Sequence, residues 1–393
     1  MASSISTSLP HPTSTYSTSV AAPTYIWVHP DPERTLYPLL VKGQPHTGQV
    51  LRRIQCALYQ GTKGHTLASF PPGKEPLSDS SKPWLVAYVD LFNAPDTQIW
   101  VTSSAEQGAV QPISKTQLFS RFMLDEKTRI MARTQLIQLF NYINTQIFPD
   151  YAKQLKELDS KANPSTMYNL ISVHSGVVEL LAGEKEMPRL STIAYFPYRY
   201  VAPVKDSDIT PPKGYSYSNV RGQEGWLPEH YDLINKTAMY RRSAHHMRAM
   251  PYSSCLYYIG EDPKLKPEVE GAPVSWIALN TDGTLTAAYC DPRHRGHALG
   301  SYAIKKILHD IRHGKGERVF KPVAGETFDT MPLYGDVIAT NGASHTMAGR
   351  VDAVPPWSSS YISIQVDLKT NSVTFARPPS FCNSTEKKLR ARL

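Results

Sequence analysis

The sequence predicts an α/β chain of two domains, each a mixed, mostly antiparallel sheet flanked by helices. Three observations carry that expectation. Leu136, Leu139, Phe140, Ile143 and Ile147 recur at the three- and four-residue spacing of an amphipathic helix. Val274, Trp276 and Ala278 alternate, as do Leu285, Ala287 and Tyr289, and Asn280-Thr281-Asp282-Gly283 between them is a hairpin turn signal. At 393 residues the chain is long enough for two hydrophobic cores.

Residues 1–24 are rich in Ser, Thr and Pro and are expected to be disordered. Lys and Arg are absent before Arg34, which argues against an Arg-rich transit peptide. In the first domain, residues 25–203, strands are expected at Trp84 to Phe92 and Gln98 to Thr102, with a turn at Asn93 to Asp96. The amphipathic helix follows, stopped by Pro149. A helical stretch from Leu170 to Leu181 and an aromatic strand from Ile193 to Phe196 complete it. Residues 204–218, with Pro211-Pro212, read as a linker.

The second domain, residues 219–377, opens with a helix from Pro228 to Tyr240. Strands are expected at Ser254 to Gly260, Val274 to Leu279 and Thr284 to Tyr289. A helix then carries Leu299, Tyr302, Ala303, Ile307 and Ile311 on one face and ends at His313 to Gly316. A strand from Tyr334 to Ala339, a short helix from Ala343 to Gly349 and a strand from Ser359 to Leu368 follow. Residues 378–393 are a basic polar tail.

Composition narrows the function. With 41% apolar and 19% charged residues the chain is an ordinary globular protein. Its apolar runs all fall short of the roughly 20 residues that a spanning helix needs. The net charge of +8 is spread along the sequence rather than gathered in a stripe, which disfavours a nucleic-acid partner. Cys56, Cys255, Cys290 and Cys382 lie far apart without a C-x-x-C pair, as expected of reduced thiols in an intracellular compartment. Zinc-type ligand spacing is not found, so no metal is expected.

The most informative stretch runs from Gly283 to Ser301: an alternating strand, a Pro-containing turn, then a basic, Gly-punctuated entry into a helix. A helix N-terminus leaves about four backbone N–H groups without partners and favours an anion. Small residues at Gly296, Ala298 and Gly300 would let a diphosphate approach the backbone, with Arg295 supplying charge.

With this motif, the order of strands and helices resembles the GNAT acyltransferase superfamily, and within it the glycine N-acyltransferase and FR47-like families. Matching residues are Leu227 to His230 with Leu233, Asn235 and Lys236; Gly271 with Pro273 to Trp276; Tyr289 to Gly300; and Val337 with Asn341, Ala343 and Met347. The resemblance covers roughly residues 220 to 350 and implies two GNAT-like domains, the first degenerate. Acyl-CoA or acetyl-CoA is implied as co-substrate, with no permanently bound cofactor. The superfamily signature Arg/Gln-x-x-Gly-x-Gly/Ala falls on Arg295-Gly296-His297-Ala298-Leu299-Gly300, with Ala298 where a glycine normally stands.

By resemblance, amides from Gly296, His297, Ala298, Leu299, Gly300 and Ser301 hold the pyrophosphate, and Asn341 touches the pantetheine arm. The thioester carbonyl lies against Ala288, Tyr289 and Cys290, where one N–H serves as oxyanion donor; losing such a donor typically costs about 2.7–4 kcal/mol. The implied reaction is N-acylation of a small amine or amino acid. Alternatives are a non-catalytic CoA-binding scaffold, or an acyltransferase with an alcohol or protein-amine acceptor. The family's glutamate after the hairpin glycine is replaced by Thr284, and the superfamily's tyrosine seven residues after the Asn by Ala348. Candidate proton-transfer groups are therefore Asp336, His345 and Tyr334, with His245 and His246 upstream.

The C-terminal Ala391-Arg392-Leu393 resembles a variant of the peroxisomal Ser-Lys-Leu address, so an import receptor is a possible partner and the location is cytoplasmic or peroxisomal. Deleting these three residues is expected to disperse a peroxisomal protein in fluorescence microscopy. Unchanged localisation refutes the address.

Overall fold

The computed structural model describes residues 25–376, apart from residues 75, 77–81, 93–97, 108–120, 159, 161–166, 184–193, 201–202, 239–240, 316–318, 354–356, 368–369 and 371. The expected N-terminal tail, Cys382 and the C-terminal tripeptide lie outside the described residues. The strands are β1 (Trp27–Val28), β2 (His65–Ala68), β3 (Leu85–Asp90), β4 (Gln98–Ser103), β5 (Tyr168–His174), β6 (Ala194–Tyr200) and β7 (Tyr215–Ser216). They continue with β8 (Tyr252–Tyr258), β9 (Ser275–Leu279), β10 (Leu285–Cys290), β11 (Leu333–Ile338), β12 (Ser359–Asp367) and β13 (Ser372–Ala376). The helices are α1 (Pro32–Thr35), α2 (Tyr37–Lys42), α3 (Gly48–Gln60), α4 (Glu126–Tyr142), α5 (Phe148–Leu158) and α6 (Ser175–Ala182). After them come α7 (Tyr231–Thr237), α8 (Ala244–Ala249), α9 (Leu299–Arg312) and α10 (Gly342–Gly349).

The strands form two sheets. The larger runs β1-β2-β3-β4-β5-β12-β6-β11, with β13 beside β12; the smaller runs β10-β9-β8-β7. The division of strands departs from the division of the sequence, because β11, β12 and β13 pair into the sheet of the first half.

Each half repeats one unit. In the first, β2, β3 and β4 form an antiparallel meander, α4 follows, and β5 returns parallel to β4. In the second, β8, β9 and β10 form the meander, α9 follows, and β11 returns parallel to β10. Both parallel contacts are short and sit near the strand starts: Gln98↔Asn169 with Ile99↔Leu170, and the single bridge Thr284↔Tyr334. Beyond them the strands part.

Three layers build the second half. Leu256, Ile277, Leu279 and Leu333 pack against Leu299, Ala303, Ile304, Ile307 and Ile311 of α9. On the opposite face, Cys255, Tyr257 and Trp276 pack against Ile234 of α7 and Met247 of α8. Fully burying one leucine or isoleucine contributes about 1.5–3 kcal/mol, and α9 buries five, Leu299, Ile304, Ile307, Leu308 and Ile311, so its position on the sheet is firmly set.

Helix α3 is sandwiched instead of surface-lying, with every residue from Gly48 to Ala57 buried. Its two arginines are paired inside: Arg52 with Glu326, and Arg53 with Asp90 at 2.9 Å. Arg53 also lies over the rings of Tyr88 and Trp100, at 4.5 and 4.9 Å from their centroids. A buried guanidinium is tolerated when its charge is paired in this way, although Arg52 Nε and Arg53 Nε and Nη1 are buried without a hydrogen-bond partner.

Several expected elements differ. Pro149 does not stop its helix: a π turn over Ile143–Ile147 precedes it, and α5 continues through Pro149. The wider turn accommodates the missing N–H and the ring. The expected helix from Leu170 to Leu181 divides into β5 and α6, because the His174 ring accepts the Gly176 N–H at 2.9 Å and starts the helix there. The helix expected from Pro228 to Tyr240 is a 3-10 turn at Pro228–His230 and then α7. The expected linker holds a 3-10 turn at Asp206–Ile209 and the paired strand β7. Cys56, Cys255 and Cys290 are free thiols, and no helix among the described residues is long and apolar enough to cross a membrane.

The vertex between β10 and β11 depends on Gly283, at φ +76, whose missing Cβ would lie 2.9 Å from Arg52 Cγ. Gly283→Ala combines left-handed strain with a clash against a buried side chain, and is expected to cost about 1–3 kcal/mol. Urea unfolding measures it; an unchanged midpoint contradicts this packing.

Candidate functional site

The site lies where β10 and β11 separate. The Tyr334 N–H donates to the Gly283 carbonyl at 3.1 Å, and the parallel pairing ends there. Two residues further along, β10 bulges. The register on β9 jumps from Thr286↔Ala278 to Tyr289↔Trp276, leaving Ala287 and Ala288 outside the ladder. Ala287 sits at φ +55, and Ala288 is exposed. A bulge of this kind turns backbone polar groups away from the neighbouring strand and toward open space. Tyr289 continues the strand, its ring stacked on Trp276 at 4.6 Å, and the half-buried Cys290 closes it.

A one-turn 3-10 helix, Pro292–His294, then leads into α9. The Asp291 carboxylate is neutralised by Arg293, whose side chain donates at 2.8 and 3.2 Å, so it presents little repulsion to an anion nearby. Arg295 is exposed, its Nε 3.4 Å from the Cys290 carbonyl. Gly296 takes φ +89 and Ala298 φ +57. His297 is exposed, edge-on to Tyr215 at 5.7 Å.

The amides of this turn carry the chemistry. The N–H groups of His294 and Arg295 bond back to Asp291 and Pro292, and those of Ser301 and Tyr302 bond to the Ala298 carbonyl. Between them, the N–H groups of Gly296, His297, Ala298, Leu299 and Gly300 have no protein acceptor among the described residues. Nor does a side chain cap the helix. Five donors in a row, at the positive end of a 14-residue helix, form an anion-binding surface.

Individual residues of this motif have further contacts. The Ser301 amide is already used within the first turn, and its side chain is buried. Gly300 serves helix packing: a Cβ there would fall 2.5 Å from Met347 Sδ on α10. Ala298 stands in the left-handed region, which explains why a glycine suits that position. Asn341 caps α10, its Oδ1 accepting the Ser344 N–H at 3.2 Å.

The first half offers a contrast. Its equivalent helix, α4, is capped by Asp125, which accepts the Thr128 N–H at 2.8 Å and places a carboxylate where an anion would bind. The gap between β4 and β5 is filled by His46, His174 and Trp357, with His46 stacked on Trp357 at 4.4 Å. What remains among Gln49, Trp100, Glu106 and Ser172 is space on the scale of one water molecule. Burial lowers the His46 pKa to about 4 and raises that of Glu106 to about 8, which favours the neutral form of each.

The proton-transfer candidates fall on the face of β11 and the sheet away from α9, or beyond the strand end. Asp336 accepts from Tyr361 OH at 2.6 Å, while its Oδ1 is shielded from solvent without a partner. Burial raises its pKa to about 6. Counting from the Thr284↔Tyr334 bridge, Asp336 lies level with Thr286 across the gap. Tyr334 is wholly buried with its phenol against Gly48 of α3, and burial raises its pKa. His345 is held at both ring nitrogens, by Tyr198 OH at 2.7 Å and the Ala339 carbonyl at 3.2 Å. His245 is exposed on α8, and the neighbouring His246 has its pKa lowered by burial to about 4.

Thr284 donates its hydroxyl to Asp282 at 2.5 Å inside the protein, and Ala348 is buried. The sequence reading missed Arg242, whose Nη2 donates to Thr286 Oγ1 at 2.9 Å beside the bulge. It also missed the bulge itself, since Thr-Ala-Ala-Tyr alternates like an ordinary strand.

Residues 20–201 match a family model described as the acyl-CoA N-acyltransferase verG N-terminal domain. No curated protein matches the sequence. Three solved structures are similar: a Drosophila protein (13% identity, 82% of this chain and 88% of that one, TM-score 0.43); a GCN5-related N-acetyltransferase from Kribbella flavida (10%, 80% and 94%, 0.36); and a tandem GNAT protein from the clavulanic acid biosynthesis pathway (12%, 86% and 97%, 0.30). These superpositions are too loose to bear on the site. The matched acyl-CoA N-acyltransferase domain falls on the first half of the chain, and both halves carry the unit of meander, helix and parallel strand.

Proposed function

We propose that the second half of the chain binds an acyl-CoA and transfers its acyl group to a small amine or amino acid. One observation carries the reading: five successive amides, Gly296 to Gly300, open at the N-terminus of α9 directly beside a bulged strand and a widening gap. A diphosphate accepts from those amides, and Arg295 adds a positive charge at the rim. The pantetheine arm then runs between β10 and β11 past Asn341, and the thioester oxygen meets an N–H in the Ala288 to Cys290 segment.

The amine attacks the thioester carbon from the face that carries α7 and α8. A C–N bond forms, the tetrahedral oxyanion is held by the bulge, and the C–S bond then breaks to release CoA thiolate, which is protonated from water. Asp336 is the proposed acceptor of the amine proton, directly or through one water. Its raised pKa, to about 6, suits a base that must be ionised at neutral pH yet still hold a proton.

Thr284 and Ala348 favour a second reading, a CoA-binding protein without turnover, because neither supplies the family's proton-transfer group. Thiol release from a panel of acyl-CoAs, with and without amines, decides between the two. Release that depends on an amine supports the transferase; binding without release for every acceptor supports the scaffold.

Two variants test the assignments. Arg295→Glu places a negative charge beside the diphosphate and is expected to weaken CoA binding at least about tenfold, an effect that shrinks in high salt. Equal affinity in a calorimetric titration means that the turn does not hold the diphosphate. Turnover should rise with pH as Asp336 ionises, with a midpoint near 6. Asp336→Asn should flatten that limb and lower kcat by about 10²–10⁴-fold. An unaltered pH profile places the base elsewhere.

A further inference from the structure

At the opposite end of α9 from the open amides, about 20 Å away, Asp206, His309 and His313 bring their ligating atoms within 4.8 Å of one another. His309 and His313 are one turn apart on the helix, with rings stacked at 4.0 Å and 23°. Asp206 comes from the 3-10 turn Asp206–Ile209, and its Oδ1 lies 2.7 Å from His309 Nε2. We infer that these three side chains bind a divalent transition-metal ion of the zinc class, independently of the CoA reading.

The argument rests on the hydrogen bonds behind the rings. His313 Nδ1 is 2.8 Å from the His309 carbonyl, an acceptor that requires the ring to donate, so the proton is on Nδ1 and the Nε2 lone pair is left outward. His309 Nδ1 is 3.4 Å from a carboxylate oxygen of Asp310, which is buried and fixed by Lys306, Lys315 and Tyr252. Metal-binding histidines commonly donate their second nitrogen to a carbonyl or carboxylate in this manner, which sets the tautomer and raises ligand basicity.

With Nδ1 donating to Asp310, a neutral His309 presents a bare lone pair to the Asp206 oxygen. A cation between the groups joins that lone pair to the carboxylate; without one, a proton on Nε2 takes its place and donates to Asp206 at 2.7 Å, with Nδ1 3.4 Å from Asp310. Nitrogen and oxygen ligands around zinc stand about 3–4 Å apart at bond lengths of about 2.0–2.2 Å, so small rotations of the exposed Asp206 suffice. Two imidazoles and a carboxylate suit zinc, nickel, copper or cobalt rather than magnesium or calcium, and open positions remain for water. The ion would join the turn at Asp206–Ile209 to α9, where Lys305 already pairs with Asp208 at 3.6 Å.

The competing arrangements, without a metal, are a neutral His309 whose Nε2–H donates to Asp206 and an imidazolium that bridges the two carboxylates. Chelator-dialysed full-length protein, titrated with ZnCl₂ by calorimetry and with CoCl₂ by visible absorption, separates them. Saturable binding of one equivalent is expected, weakened at least tenfold by His313→Ala and by His309→Ala. Zinc should raise Tm for the native protein but not for His313→Ala, and His313→Ala should leave CoA affinity unchanged. The inference is overturned by an absence of saturable binding, by equal affinity in native protein and His313→Ala, or by a metal-free His309 that stays protonated at neutral pH in an NMR titration whether zinc is added or not.

Discussion

One main-chain hydrogen bond, from the Tyr334 N–H to the Gly283 carbonyl, holds the two sheets at the point from which the site opens. Around it the protein concentrates buried polar groups. Asp282 accepts the Thr284 N–H at 3.0 Å and the Trp100 indole at 3.0 Å, and Arg52 lies against Gly283 while paired with Glu326. Such groups are expensive to bury and far more expensive to leave half-paired, at about 3–5 kcal/mol when one partner of a buried ion pair is removed. The vertex is therefore fixed in position, and the gap beyond it follows from the strands' twist and the bulge at Ala287. A strand that ended its pairing at a softer joint would let β11 close onto β10.

The repeated unit explains why the two halves are not equivalent. Both place a helix after the last meander strand, and both let the next strand diverge from it. In the first half the Asp125 carboxylate occupies the helix N-terminus, and His46, His174 and Trp357 fill the gap. In the second half no side chain caps α9, and Ala298 in the left-handed region turns the preceding amides outward. The physical difference between the filled half and the open half is thus one capping carboxylate and a few aromatic rings.

Much of the second half was legible from local pattern. The alternation in β9 and β10, the Asn-Thr-Asp-Gly turn and the apolar face of α9 each follow from short-range rules, and the structure places those elements within a residue or two of expectation. What local pattern does not encode is the long-range part. Nothing in Gly48 to Ala57 announces that a helix carrying Arg52 and Arg53 is buried, because their partners Glu326 and Asp90 are distant in sequence. Pro149 looks like a helix stop until a π turn makes room for it. The second constraint on Gly300, its packing against Met347, depends on where α10 packs. Asp125 with Thr128 was a readable cap that the sequence reading passed over, as was the four-residue spacing of His309 and His313.

The central claim is that the amides of Gly296 to Gly300 are vacant donors awaiting a diphosphate. Backbone amide NMR of the full chain, recorded as CoA is added, reads those five groups individually. The account predicts that their resonances shift together and saturate, and that they gain protection from hydrogen exchange while the amides of α4 stay unchanged. Saturating CoA that moves resonances elsewhere and leaves these five untouched would contradict it.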